Sequence, residues 1–332
     1  MKARIASRPA FACLLVTQVA FATPARLAAD VNLVEWSIPT ANSQPHDIIS
    51  DDEGIIWFTE MAANQIGRFD PQTEEFMEFP LPTPGGAPHG ICVAPDDGVW
   101  FTEQGGDKIG RIDRRSFAIV EFPLPHAGSG AHTPIYDGFG HLWFTEQFGN
   151  RIGRLNIEDG AIEEWDLPVP NSGPYGIVAD ADGNGWFCEL SGGSDRLGRI
   201  DAKTGKITEY HTPTPASGPR RLWFDSQARL WITENVASKL ALFNPKSEEF
   251  REWDTPHPRS QPYAITVDQD DVVWFTEFTA NYMVRFDPKT EEFTPYELPT
   301  AREQCRFIYV DPFNRVWYEN NGNSAIGVVI HD

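Results

Sequence analysis

Pro88-His89-Gly90-Ile91, the turn Asp96-Asp97-Gly98, Val99-Trp100-Phe101-Thr102-Glu103, Ile109-Gly110-Arg111-Ile112 and Val120-Glu121-Phe122-Pro123-Leu124-Pro125 follow one another along the chain. They read as four short strands parted by turn residues. The unit recurs: its tryptophan returns at Trp57, Trp100, Trp143, Trp186, Trp231, Trp274 and Trp317, at intervals of 43, 43, 43, 45, 43 and 43 residues. The longer interval falls in the fourth unit, where Ser191-Gly192-Gly193-Ser194-Asp195 extends one loop. Four strands per repeat of about 40 to 45 residues is the pattern of a propeller blade, a twisted sheet that buries its faces only against its neighbours. Seven units therefore predict an all-β chain, a seven-bladed β-propeller of four-stranded blades.

The last unit ends at Val328-Val329-Ile330-His331-Asp332 without a fourth strand. Asn32-Leu33-Val34-Glu35-Trp36-Ser37-Ile38-Pro39 carries the Glu-aromatic-x-x-Pro pattern of the other fourth strands. Residues 32–39 are thus expected to complete the last blade and close the ring, which hides two sheet edges. Ahead of them, Lys2, Arg4 and Arg8 precede the apolar run Phe11–Ala22, and Ala20-Phe21-Ala22 fits a small-x-small cleavage site. The apolar run is too short for a membrane span of roughly 20 residues. Residues 1–29 read as a signal peptide cut after Ala22 or near Ala29, leaving residues 30–332 as one propeller domain in the periplasm or outside the cell.

Composition narrows the partners. The 332 residues carry 27 Lys+Arg against 48 Asp+Glu, a formal charge of -21. Binding to nucleic acid needs a basic face that releases counterions, and binding to an anionic membrane needs one too, so both are excluded as expectations. Acidity and closed edges suit a monomer. Cleavage would remove Cys13 and leave Cys92, Cys188 and Cys305, an odd count that gives no complete disulfide framework. No phosphate loop, CxxC, HExxH or GxSxG element is present.

Two positions in each unit are candidates for chemistry. The residue eleven before each tryptophan begins the first strand, and the residue three after it ends the second. A hairpin places these side by side on one face of the ring, near its channel. The first set is His46, His89, His132, Tyr175, Arg220, Tyr263 and Arg306. It is polar and asymmetric, with three imidazoles on one arc and Tyr263 between two arginines on the other. The second set is Glu60, Glu103, Glu146, Glu189, Glu234, Glu277 and Asn320. A glutamate repeated in six blades reads as a structural device bonding backbone or a neighbouring blade. The arginines of the repeated Ile-Gly-Arg (Arg68, Arg111, Arg154, Arg199) are expected to pair with acidic groups between blades.

The repeated Pro-His-Gly-Ile, Trp-Phe-Thr-Glu, Asn/Asp-x-Ile-Gly-Arg and Glu-aromatic-x-Leu-Pro motifs resemble those of the virginiamycin B (streptogramin B) lyase family, over residues 31–332. The resemblance implies a carbon-oxygen lyase that opens a cyclic ester, a depsipeptide or lactone, by elimination: a histidine base, a magnesium ion on nearby carboxylates, and no added water. Arg306 stands where the family has its base in the last blade. The match is therefore a rotated one, in which His89, His132 and Tyr175 follow in order and Gly173-Pro174-Tyr175-Gly176-Ile177 agrees literally. Under it the catalytic set is His132 as base with His89 and Tyr175. Glu146, with Glu103, would hold Mg2+, and His46, Arg220, Tyr263 and Arg306 would contact substrate. The alternatives are a non-catalytic periplasmic propeller that binds a ligand or protein, or a metal-dependent lactonase.

Overall fold

The computed structural model describes residues 31–300 and 304–331, so the export signal expected at residues 1–29 lies outside the described residues. Among these there are twenty-eight strands in seven four-stranded antiparallel sheets, and no helix. Each sheet runs outward from an innermost strand at the channel, in the first blade through Pro45–Ser50, Ile56–Glu60, Gln65–Asp70 and Glu75–Pro80. The predicted propeller and its seven blades are the observed architecture.

The repeat residues each have a mechanical reason. In the first blade the Asp51 carboxylate accepts the backbone N–H of Glu53 and of Ile55, each at 3.0 Å, which tightens the hairpin turn. Its other oxygen accepts the Trp57 indole N–H at 3.0 Å and so ties the turn to the buried face of the sheet. Asp96, Asp180, Asp225, Asp268 and Asp311 do the same for their tryptophans. Trp143 instead donates to the Gly183 carbonyl of the next blade. The glycine of Ile-Gly-Arg lies under the aromatic ring of the second strand: a Cβ on Gly110 would come within 2.1 Å of Phe101. The arginine after it differs from expectation. Arg68, Arg111, Arg154 and Arg199 lie over the tryptophan directly across the ladder in their own blades, 5.0–6.0 Å from the ring centroids. Arg111 also pairs with Asp96 of its own hairpin at 2.7 Å.

Blades are joined through their outermost strands. Thr83, in the loop leaving the first blade, donates from its backbone N–H and its hydroxyl to Glu121 of the second, at 3.0 and 2.6 Å. Thr214 meets Glu252 likewise, at 2.9 and 2.6 Å. The ring closes as predicted: Asn32–Ser37 pairs antiparallel with Ala325–Ile330, from Asn32↔Ile330 to Ser37↔Ala325. Trp36 stacks on Trp317 in the last blade at 5.8 Å and packs against Phe69 of the first at 5.0 Å. Glu35 accepts from Tyr318, Asn320 and Thr300.

Candidate functional site

The channel lining is shaped by a bulge in the innermost strands of the first six blades. In the first blade Pro45 pairs with Glu60 but Ile48 pairs with Phe58, so His46 and Asp47 together oppose Thr59. The same slip separates Pro88 from Ile91, Ala131 from Pro134, Pro174 from Ile177, Pro219 from Leu222 and Pro262 from Ile265. A regular strand sends consecutive side chains to opposite faces, and a bulge lets two of them share one. The threonine of Trp-Phe-Thr-Glu fastens it. Thr59 Oγ1 accepts the Asp47 N–H at 3.0 Å and donates to the His89 carbonyl of the next blade at 2.8 Å. Thr102, Thr145, Thr233 and Thr276 repeat both bonds.

The predicted first set forms one continuous wall. His46 and His89 pack with tilted rings at 3.6 Å between centroids, His89 and His132 at 3.9 Å, and His132 and Tyr175 at 3.9 Å. The Tyr175 and Tyr263 hydroxyls bond each other, and Arg220 donates to Tyr175 Oη at 2.9 Å while lying 3.5 Å from the Tyr263 ring centroid. Arg306 lies over Phe278 at 5.5 Å. The three histidines and two tyrosines of this wall are buried.

The bulge adds a pair that the sequence reading passed over, because it followed only the first position of each unit. Asp47 and Arg221, each one residue further on, are buried and bonded at 2.9 Å across the channel, joining the first blade to the fifth. The same Asp47 oxygen accepts from His46 Nδ1 at 3.0 Å, which fixes the Nδ1–H tautomer and leaves Nε2 as the acceptor. Arg221 also donates to Thr133 Oγ1 at 3.3 Å, and His132 Nδ1 is bonded to that hydroxyl at 2.9 Å. Opposite charges at corresponding positions of two strands that are otherwise buried were the available signal. Burial pushes all three imidazoles well below the usual histidine range, helped for His46 by Arg306, Arg221 and Arg220, and for His89 and His132 by neighbouring imidazoles and Arg221. At neutral pH they are uncharged.

The glutamate set is fully buried and turns toward the outermost strand and the loops between blades. Glu146 is held by Arg151 at 2.9 Å, and Arg151 also reaches Ser129. Burial, reinforced by Glu78, Glu121 and Glu252 of the outermost strands, pushes Glu60 and Glu103 up to about 7 and Glu234 up to about 8. This fixes the sign of a pH effect. From the ordinary glutamate value up to about pH 7–8 the native state keeps protons that the unfolded chain has lost, so stability falls as pH rises through the native values. The histidines act oppositely. Their stabilisation is present above the ordinary histidine value and is lost only as pH falls, so between about pH 4.5 and 6.5 the two groups offset. Urea unfolding is expected to give a lower midpoint at pH 8.5 than at pH 6.5; a higher midpoint would overturn this account of the glutamates.

Against known proteins, the model of the virginiamycin B lyase family matches residues 9–248 and 205–332. The selenomethionine-substituted virginiamycin B lyase from Staphylococcus aureus superposes with a TM-score of 0.85 at 32% identity, over 91% of this chain and 100% of that one. The chain belongs to the virginiamycin B lyase family. A catalytically inactive variant of the Staphylococcus aureus lyase, solved with quinupristin, matches at 31% identity over 91% of this chain and 100% of that one, TM-score 0.85. YCF48 bound to D1 peptide shares the fold at 12% identity, TM-score 0.71, over 90% of this chain and 95% of that one. No curated protein sequence matches the chain.

The one cluster of three potential metal ligands among the described residues is poorly suited to the magnesium that the family resemblance implies. Among the described residues, ligating atoms of His46, Asp47 and His89 lie within 4.8 Å of one another, a group that includes neither Glu103 nor Glu146. Magnesium takes an octahedral shell of oxygens. Here it would find two imidazole nitrogens and a carboxylate already bonded to Arg221, with Arg220 and Arg306 facing the same histidine. These residues do not fit a magnesium ion. The electropositive character of the wall comes instead from its guanidinium groups.

Proposed function

We propose that the chain is an exported carbon-oxygen lyase that opens a cyclic ester from the histidine arc. The observation that carries this is the His46–Asp47 pair: a neutral imidazole, oriented by a buried carboxylate at 3.0 Å, inside a family of ester-opening lyases. His46 Nε2 takes the proton from the carbon α to a carbonyl. The C–H pair becomes the new C=C bond, the adjacent C–O bond breaks, and the ester leaves as a carboxylate. Arg220 and Arg306 stabilise the negative charge that develops, and the Tyr175 and Tyr263 hydroxyls orient the carbonyl. The rotated family match puts the base at His132 instead, whose Nε2 is buried and has no hydrogen-bond partner. Separate variants distinguish the two.

A streptogramin B incubated with the protein is expected to be linearised with no change of mass, and His46→Ala is expected to slow this by about a hundredfold or more. Loss in His132→Ala alone would move the base to His132. A product heavier by one water would make the enzyme a hydrolase, and no conversion would remove the antibiotic as substrate. The burial of His46, His89 and His132 favours a second reading, a propeller that binds its ligand without turning it over. Saturable binding of the drug with no product would select it.

A further inference from the structure

The Asp47–Arg221 pair divides the channel. On the far side from the histidine arc, at the end where the hairpin turns lie, the innermost strands enclose a funnel of about 260 Å³. Its walls are Ile91, Val93, Ile135 and Val178, with Trp223 and Tyr309 meeting edge to face at 6.1 Å. The only charged side chain in the lining is Arg221. Its terminal nitrogens are spent on Asp47 and Thr133, yet its Nε–H is buried and has no hydrogen-bond partner. A buried donor left unpaired is costly, and an apolar space beside one is the usual form of a small-molecule site. The charge balance sets the ligand's sign. Arg220, Arg221 and Arg306 converge on the middle of the channel, where Asp47 is the one carboxylate bonded to a guanidinium. A dry cavity of roughly 150 Å³ holds a benzene, so this funnel has room for a chain of about six to eight carbons.

We propose that the funnel on the hairpin-turn face is a second ligand site, distinct from the histidine arc, for a small monocarboxylic acid with an apolar tail. The carboxylate meets Arg221 Nε, and the tail lies along Ile91, Val93, Ile135 and Val178 toward Trp223. The site is independent of whether the arc is catalytic. The test is titration calorimetry, with Trp223 fluorescence as a second signal, using octanoate, butyrate and 1-octanol. Octanoate is expected to bind saturably and more tightly than butyrate, by about fourfold for each added methylene, and at least tenfold more tightly than 1-octanol. Val93→Trp and Ile135→Trp each fill the funnel from a half-buried wall position and leave Asp47, Arg221 and the arc untouched. Both are expected to weaken octanoate at least tenfold without changing conversion of a streptogramin B. Equal affinity for 1-octanol would overturn the carboxylate assignment. Undiminished octanoate binding by either folded variant, or no saturable binding by the unaltered protein, would overturn the site.

Discussion

Asp47→Ala is expected to destabilise the protein by about 3–5 kcal/mol, the usual cost of stranding one member of a buried ion pair. Asp47 and Arg221 are 0% and 2% exposed, so with no acid bound in the funnel the stranded guanidinium is left poorly solvated. Glu319 offers no substitute, because burial pushes its carboxyl well above the usual range and its Oε1 is occupied by the backbone N–H groups of Arg306 and Phe307. The pair also ties the first blade to the fifth across the channel, so its loss is felt on both sides of the ring. Removing both charges should cost much less than removing one: Asp47→Ala combined with Arg221→Met is expected to recover most of the stability. Urea unfolding of the two single variants and the double variant measures this as a cycle. A loss below about 1 kcal/mol for Asp47→Ala would show that the guanidinium is hydrated in the native state and that the channel is not sealed at this level.

The second large effect concerns ring closure. A chain shortened to begin at Thr40 lacks the strand Asn32–Ser37 and with it Leu33, Val34, Trp36 and Ile38. Side chains of this kind contribute about 1.5–3 kcal/mol each when fully buried; Ile38 is, whereas Leu33, Val34 and Trp36 are half-buried. The summed loss is on the order of 5 kcal/mol, a large share of the roughly 5–15 kcal/mol that holds a domain folded. Glu35 leaves as well, and Tyr318 and Asn320 lose an acceptor. The shortened chain also exposes the backbone edge of Ala325–Ile330, a template for pairing with another molecule. A much lower unfolding midpoint together with oligomers on size-exclusion chromatography is expected. A monomer with an unchanged midpoint would mean that the covalent run of blades, rather than the closing strand, maintains the ring.

The fold was legible because it is periodic. Trp57 and its six counterparts recur at a spacing that admits one architecture, and Asn32–Pro39 carries the missing fourth-strand pattern in plain sight. The histidine arc was legible for the same reason, since His46, His89 and His132 hold one register position. Asp47 and Arg221 were not, because strand alternation assigns consecutive residues to opposite faces and only the bulge overrides that. The glutamates and arginines of the repeat show the opposite limit. A motif says that Glu103 and Arg111 recur, but it does not say that the first turns toward Glu121 or that the second lies on Trp100. Those choices follow from packing inside one sheet, which spacing does not encode.

The threonine that pins five of the six bulges has a consequence for how such a ring can change its chemistry. Because Thr59, Thr102, Thr145, Thr233 and Thr276 grip only backbone groups, they hold the channel-facing positions in place whatever side chains stand there. Each of these five blades is then an interchangeable socket. Histidine, tyrosine and arginine occupy the same backbone frame in turn, and a reactive group can migrate from one blade to the next by a single substitution while the scaffold stays still. In a ring built this way the address of the chemistry is an angle around the axis, not a place along the chain.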